Sequence, residues 1–117
     1  MQYQIENLQV WQKAMALVKE VYRLTKGFPK DELYGLTAQM RRAAVSVPVN
    51  IAEGKGRYHT KEYLQFLYMA RGSLYEEMTL IRVAQDLAYL PRLHAEALEK
   101  LCGEITAMLN GLIRSLQ

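Results

Sequence analysis

Cations and rings are concentrated around one short stretch, NIAEGKGRYHTKEY, residues 50–63. From Arg41 to Lys61 there are five cations against one acid, Glu53, so this part carries a net +4 in a protein whose total is +3. Tyr58 and His59 lie among the cations, which are Arg41, Arg42, Lys55, Arg57 and Lys61. Cations bind phosphates and planar rings stack on unpaired bases, so the pattern favours nucleic-acid binding. A solvated basic corner, with Arg41 or Arg42 paired to a glutamate, is the competing interpretation.

The sequence lacks the patterns of a phosphate-binding loop, a metal site or a nucleophilic catalytic site. The glycines of GKGR do not complete a phosphate-binding loop, and they predict a helix C-cap and a turn with positive φ. Neither His59 nor His94 ends the Glu-x-x-His pattern of di-iron bundles, and two histidines with one cysteine are too few for a zinc site. Ser46 and Ser73 have no histidine in helical register. The sequence therefore predicts no catalytic residue, no metal and no cofactor.

Two adjacent acids, Glu76 and Glu77, fall in an otherwise apolar region. Residues at their helical offsets are small or apolar, so at least one carboxylate should face packed surface and needs a hydrogen-bond partner there. The candidate partners are Arg41, Arg42 and Asn50. We expect a buried polar network of Asn50, Glu76 and Glu77 that fixes helix register or subunit packing. A catalytic acid is the alternative.

Apolar periodicity predicts four helices, at about residues 6–26, 30–53, 60–90 and 92–116. Pro48 should kink the second helix, Gly54 should end it, and Thr60 should cap the third. The third helix is apolar over most of its circumference, which predicts self-association. The small residues Gly103 and Gly111 suggest close approach of another backbone to the fourth. Four helices with short connections predict an all-α, one-domain, antiparallel up-down-up-down bundle.

Composition restricts the class of protein. The single cysteine, Cys102, cannot form an internal disulfide, and on the apolar side of its helix it is expected to be an inert small hydrophobe. The first residues lack a signal-peptide pattern, and no apolar run approaches the roughly 20 residues of a membrane span. We therefore expect a soluble cytoplasmic protein with no membrane partner.

Five segments of the sequence form a distinctive set: VWQKA (residues 10–14), FPKDELYGL (28–36), QMRRAA (39–44), NIAEG (50–54) and ARGSLYE (70–76). Through these segments the sequence resembles a bacterial family, the 23S rRNA-intervening-sequence proteins, also called the S23 ribosomal protein family. The resemblance extends from about Leu8 to Leu116. Glu77 departs from it, since relatives tend to have an apolar residue there.

The resemblance implies a left-handed four-helix bundle that assembles as a homopentamer. It also implies a link to intervening sequences in large-subunit ribosomal RNA genes. A distantly similar group comprises pentameric, basic accessory proteins of diversity-generating retroelements, which bind nucleic acid and a reverse transcriptase. Five basic corners around one axis would bind RNA by multivalency.

We therefore expect a non-enzymatic oligomer that binds RNA or another nucleic acid. In this hypothesis Tyr58 stacks on a base and the cations contact phosphates. A scaffold that docks a partner enzyme, with an incidental basic corner, is the main alternative. An enzyme is the third hypothesis, and it has the least support because no catalytic constellation is present.

Overall fold

Four α-helices cross residues 4–117, the part of the chain that this computed structural model describes. They are α1 (Gln9–Thr25), α2 (Leu36–Lys55), α3 (Thr60–Asp86) and α4 (Arg92–Leu116), with short 3-10 helices at Gln4–Asn7 and Lys30–Glu32. α1 packs on α2, α2 on α3, α3 on α4, and α4 back on α1. Short connections between neighbouring helices make the chain run up, down, up and down. The predicted all-α antiparallel bundle is confirmed.

One core runs along the axis of the bundle, and every helix contributes to it. Leu17, Met40, Leu67 and Ile105, one from each helix, have no exposed surface. In α1 the buried positions alternate between spacings of four and three, which places them on one face of the helix. These positions are Val10, Ala14, Leu17, Val21 and Thr25.

The helices begin later than the sequence predicts. α1 begins at Gln9 and α2 at Leu36, whereas the predicted starts were about residues 6 and 30. The acids before α2 explain the second difference, because they belong to a separate 3-10 turn. Glu32 caps α2 from that turn: its Oε1 accepts a hydrogen bond from the Leu36 N–H at 3.1 Å. Pro48 is buried inside α2, which continues beyond it as predicted.

α3 begins at residue 60 as predicted, but its cap and its end differ from the prediction. Thr60 is the first helical residue rather than the cap, and the extended residue before it is His59. α3 ends at Asp86 instead of near residue 90, because Ala88 adopts a left-handed conformation with φ 64°. The backbone N–H groups of Tyr89 and Leu90 then turn back to the carbonyl of Ala84, at 2.9 and 3.3 Å. This reversal returns Leu90 to the core, where it is 3% exposed.

Gly54 is required for packing rather than for chain reversal. No glycine in residues 4–117 has a positive φ, so the prediction that the corner glycines supply left-handed conformations was wrong. Gly54 lies inside α2, and a Cβ there would be 2.8 Å from Phe66 Cβ, 2.9 Å from Tyr63 Cδ1 and 3.2 Å from the Tyr63 carbonyl oxygen. The missing side chain therefore allows α2 and α3 to approach closely at the corner.

Replacing Gly54 with alanine should destabilise the protein by up to about 2 kcal/mol. Overpacking against a Cβ and a backbone carbonyl costs about 1–3 kcal/mol, and the gain of about 1 kcal/mol in helix propensity offsets part of that cost. Gly103→Ala is the matched control, because nothing lies within 4 Å of its added Cβ. Thermal unfolding of both variants measures the difference. An unfolding temperature of Gly54→Ala at or above that of the wild type would contradict the packing role.

The two glycines of α4 do not serve helix packing within the described residues of the subunit. An added Cβ at Gly103 meets no atom within 4 Å, and one at Gly111 meets only the Arg114 guanidinium at 3.9 Å. Close approach of another backbone to these glycines, which the sequence suggested, does not occur within residues 4–117 of one chain.

Candidate nucleic-acid interface

The turn between α2 and α3 presents three cations and one ring to solvent. Lys55 ends α2, Lys61 lies in the first turn of α3, and Arg57 and Tyr58 lie between them. All four side chains are exposed, and Tyr58 is 94% exposed. The structure therefore brings together these four predicted residues, which we call the α2–α3 corner.

Aromatic side chains position the cations of the α2–α3 corner. The guanidinium carbon of Arg57 lies 4.6 Å from the centre of the Phe66 ring, and Lys55 Nζ lies 5.9 Å from that of Tyr63. Cation–π contacts of this kind contribute roughly 0.5–1 kcal/mol each at exposed sites. Phe66 and Tyr63 also enclose Gly54, so the packing that closes the turn directs these charges outward.

Two acids partly offset the charge of the corner. Arg57 lies 4.0 Å from Glu53 across one helical turn, with both side chains about half exposed. Glu62 follows Lys61 and is also exposed. An exposed ion pair contributes little, about 0–1 kcal/mol, so the Arg57–Glu53 contact leaves the guanidinium available to another anion. The corner is therefore only weakly basic in one subunit.

Arg41 and Arg42 lie apart from the corner, contrary to the predicted single cluster. About 13 residues of helix at 1.5 Å per residue place Arg42 roughly 20 Å from Lys55. Arg41 contacts α1 instead: its guanidinium carbon lies 4.6 Å from the centre of the Tyr22 ring, and its Nε donates to Thr25 Oγ1 at 3.0 Å. The two arginines line a groove between α1 and α2 together with Tyr22, Val45, Ser46 and Val49.

Glu77 is the most unusual ionisable group of the core. It has no exposed surface, and neither carboxylate oxygen has a hydrogen-bond partner among the described residues. Burial, with a smaller contribution from the neighbouring charge of Glu76, raises the pKa of Glu77 to about 9. A carboxyl group with such a pKa is protonated and neutral at pH 7.

The predicted network of Asn50, Glu76 and Glu77 does not form. The expected burial of at least one carboxylate is confirmed by Glu77, but Glu76 is exposed. Asn50 Nδ2 donates to the Ser46 carbonyl of its own helix at 2.8 Å. Arg41 donates its hydrogen bond to Thr25 on α1 instead. Within the described chain, no hydrogen-bond partner reaches the Glu77 carboxyl group.

Cys102 lies in the core and is not a reactive thiol. It is fully buried, and burial, followed by the charges of Glu77 and Glu99, raises its pKa to about 12. Only the thiolate is nucleophilic, so this side chain is chemically inert at neutral pH. Within residues 4–117, no three histidine, cysteine or acidic side chains are grouped to hold a metal ion.

The sequence matches the model of one protein family, described as 23S rRNA-intervening sequence protein, over residues 6–111. The match spans all four helices except the last turns of α4. The chain belongs to this family. No curated protein matches this chain in sequence.

A solved structure has the same fold. It is the crystal structure of a protein with unknown function from the S23 ribosomal protein family of Bacteroides thetaiotaomicron. The two are 19% identical with a TM-score of 0.83, and the similarity covers 89% of this chain and 97% of the other. At that identity the likeness shows the shared bundle fold.

The structure has a second basic groove that the sequence interpretation missed. Arg71 from α3 and Arg114 from α4 line it, with Tyr68, Asn110, Ile113 and Gln117. The residues are far apart in the sequence, and only the spacing of three between Tyr68 and Arg71 signals that two of them share a helix face.

In the described part of the chain, no helix is long and apolar enough to cross a membrane.

Proposed function

We propose that this protein is a non-enzymatic homo-oligomer, a pentamer as the family resemblance implies, that binds RNA. The α2–α3 corner contacts RNA: Lys55, Arg57 and Lys61 bind phosphates, and Tyr58 stacks on an unpaired base. The observation that carries the proposal is the Tyr58 side chain, which is 94% exposed between exposed cations and whose ring centre lies 5.0 Å from that of His59. Rings on which bases stack, flanked by cations, are the usual device for binding single strands.

Assembly compensates for the weak charge of one corner. Each subunit opposes three corner cations with Glu53 and Glu62, so one corner gives low affinity. Several corners on one oligomer bind the same RNA, and each later contact forms at a high effective concentration. Such linkage raises affinity by about 10²–10⁴ without any new type of contact.

RNA binding should depend on salt through the corner cations. Single-stranded nucleic acid gives a log–log salt slope of about −0.7 for each phosphate that is neutralised, so three corner cations predict about −2 for each bound subunit. The variant Lys55→Gln/Arg57→Gln/Lys61→Gln should remove most of that slope. Fluorescence anisotropy with labelled oligouridylate at several salt concentrations measures it.

The matched control is Lys19→Gln/Lys26→Gln/Lys30→Gln, which removes the same charge from exposed positions at the opposite end of the bundle. Its salt slope should remain that of the wild type. If the two triple variants lose affinity equally, binding follows net charge rather than the corner. If the wild type does not bind RNA at low salt, the proposed function is wrong.

A protein scaffold is the second candidate, and the exposed apolar residues of α2 and α3 favour it. Val49 is 45% exposed and Met69 is 54% exposed, although both lie on helices with well-formed core faces. A partner protein that remains bound after nuclease treatment, and that a corner variant retains, would support this function over RNA binding.

A further inference from the structure

The groove between α3 and α4 is built around two arginines. Arg71 Nη1 donates to Asn110 Oδ1 at 2.9 Å, and its guanidinium carbon lies 5.3 Å from the centre of the Tyr68 ring. The Tyr68 hydroxyl in turn accepts a hydrogen bond from Gln117 Nε2 at 3.2 Å. Arg71 is therefore held from two sides by neutral groups. The groove, lined also by Arg114, has a volume of about 460 Å³, within the range of about 300–1,000 Å³ for small-molecule sites.

No carboxylate neutralises these arginines. Among the described residues, the four ion pairs within 4.0 Å involve Lys13, Arg23, Arg57 and Arg92. Arg71 and Arg114 thus bring two full positive charges to one groove. The C-terminal end of α4 opposes an anion here with about half a negative charge, to which an α-carboxylate on Gln117, a residue that lines the groove, would add. The net potential of the groove therefore favours an anion.

The groove and the α2–α3 corner lie along the same side of α3. Lys61 and Tyr68 are seven residues apart and Arg71 follows after three, spacings that keep side chains on one helix face. From Lys61 to Arg71 the helix rises roughly 15 Å. A strand bound at the corner can therefore continue into the groove.

We propose that the α3–α4 groove binds a phosphate group between Arg71 and Arg114, with Tyr68 beside it. Guanidinium groups suit this ligand because their donors match pairs of phosphate oxygens. The phosphate belongs either to RNA that continues from the corner, which rests on the proposed function, or to a free phosphate or phosphate monoester. Asn110 is a positioning residue that holds Arg71 towards the groove.

Two measurements test the groove. In the first, inorganic phosphate is titrated into the wild-type protein at low ionic strength, and NMR follows the Nε–Hε signals of its arginines. In the second, anisotropy compares oligouridylate binding by Arg71→Gln, Arg114→Gln and the double variant. Arg82→Gln is the matched control, since Arg82 is exposed on the same helix but about 16 Å further along. Thermal unfolding verifies the fold, and Arg114→Gln keeps the Arg71–Asn110 hydrogen bond intact.

A bound phosphate predicts saturable shifts of the Arg71 and Arg114 signals, with the Arg82 signal unchanged. If the ligand is RNA, each single variant should lose roughly 5–10-fold in affinity, and Arg82→Gln less than twofold. Saturable phosphate shifts with unchanged RNA affinity identify a free phosphate or monoester. They support the groove even if the wild type binds no RNA, in which case only the proposed function fails.

Two results would overturn the groove proposal. One is the absence of saturable shifts together with RNA affinity of the double variant equal to that of Arg82→Gln. The other is a change of oligomeric mass in Arg71→Gln or Arg114→Gln, seen by sedimentation without any phosphate shift in the wild type. In that case the arginines bind a carboxylate of a neighbouring subunit instead.

Discussion

Replacing Glu77 with methionine should raise the free energy of unfolding at pH 7 by about 4–6 kcal/mol. A buried carboxyl group without a hydrogen-bond partner costs about 1–3 kcal/mol. Protonation adds about 3 kcal/mol to this cost, because pH 7 lies about 2.5 pH units above the ordinary pKa of 4.5 and the folded state holds a proton that the unfolded chain has released. Methionine is unbranched and adapts to irregular core space, so it fits the same volume without the polar atoms.

The effect of Glu77 on stability should depend on pH in a defined direction. Its pKa is about 9 in the folded protein, against an ordinary value of 4.5. Between these two values unfolding releases a proton, so stability falls as pH rises, by at most about 1.4 kcal/mol per pH unit. The loss begins near the unfolded pKa and ends above the folded one. The free energies of unfolding of the wild type and Glu77→Met, measured with denaturant from pH 5 to 9, should therefore diverge steadily.

Two further variants separate burial from ionisation. Glu77→Gln cannot ionise but keeps a buried polar group, so it should show the flat pH dependence of Glu77→Met at lower stability. Glu76→Gln alters an exposed residue and should change stability by less than about 0.5 kcal/mol. All are compared at one protein concentration, because assembly adds to stability by mass action. A pH profile of Glu77→Met parallel to that of the wild type would disprove the role of Glu77.

Sequence periodicity was sufficient to predict the helices but not the residues at which they end. Apolar periodicity predicted all four helices, because a face packed in one direction leaves a 3.6-residue pattern. Pro48 was correctly placed inside a helix. The reversal at Ala88 was missed because alanine carries no signal for a left-handed conformation, and that reversal is driven by return of Leu90 to the core.

Sites made from neighbouring residues were predicted more completely than sites made across helices. The α2–α3 corner lies within one turn of chain, so composition alone found its cations. At least one of Glu76 and Glu77 was expected to be buried from their helical offsets, but which one is buried, and its lack of a partner, depend on the rotation of α3 against α2 and α4. The contact between Arg71 and Asn110 joins α3 to α4, and nothing in either helix alone identifies it.

The exposed apolar residues of α2 and α3 form one surface, which we propose is the contact between subunits. A hydrogen bond between the Ser46 and Ser73 hydroxyls joins the two helices at its centre. On α3, heptad-like spacings connect Met69, Leu80 and Val83, with the exposed Glu76 between them, and Leu87 follows directly after the helix. On α2, Val45 and Val49 lie beside Ser46. Val49, Met69, Val83 and Leu87 are each 39–54% exposed in a single subunit. A seam with this repeat is the pattern by which helices pack against one another.

Aspartate at two positions of this surface should abolish assembly. In Val49→Asp/Met69→Asp, burying two unpaired carboxylates in an apolar contact costs several kcal/mol, whereas exposed positions change the folding of one subunit by only about 0.5 kcal/mol. Sedimentation velocity should show an oligomer for the wild type and a folded 13.5 kDa subunit for the variant. RNA affinity should fall with assembly, by about 10²-fold or more, because the corners then act singly.

The control for the assembly variant is Leu93→Asp, which changes a residue that is more exposed, at 79%, but lies on α4. It should keep the oligomeric mass and the RNA affinity of the wild type. A wild-type protein that sediments as a single subunit at micromolar concentration would refute the interface, and with it the multivalent mode of binding. Unchanged mass in the aspartate variant would instead place the subunit contact on another face, since two charges cannot remain buried in an apolar contact without partners.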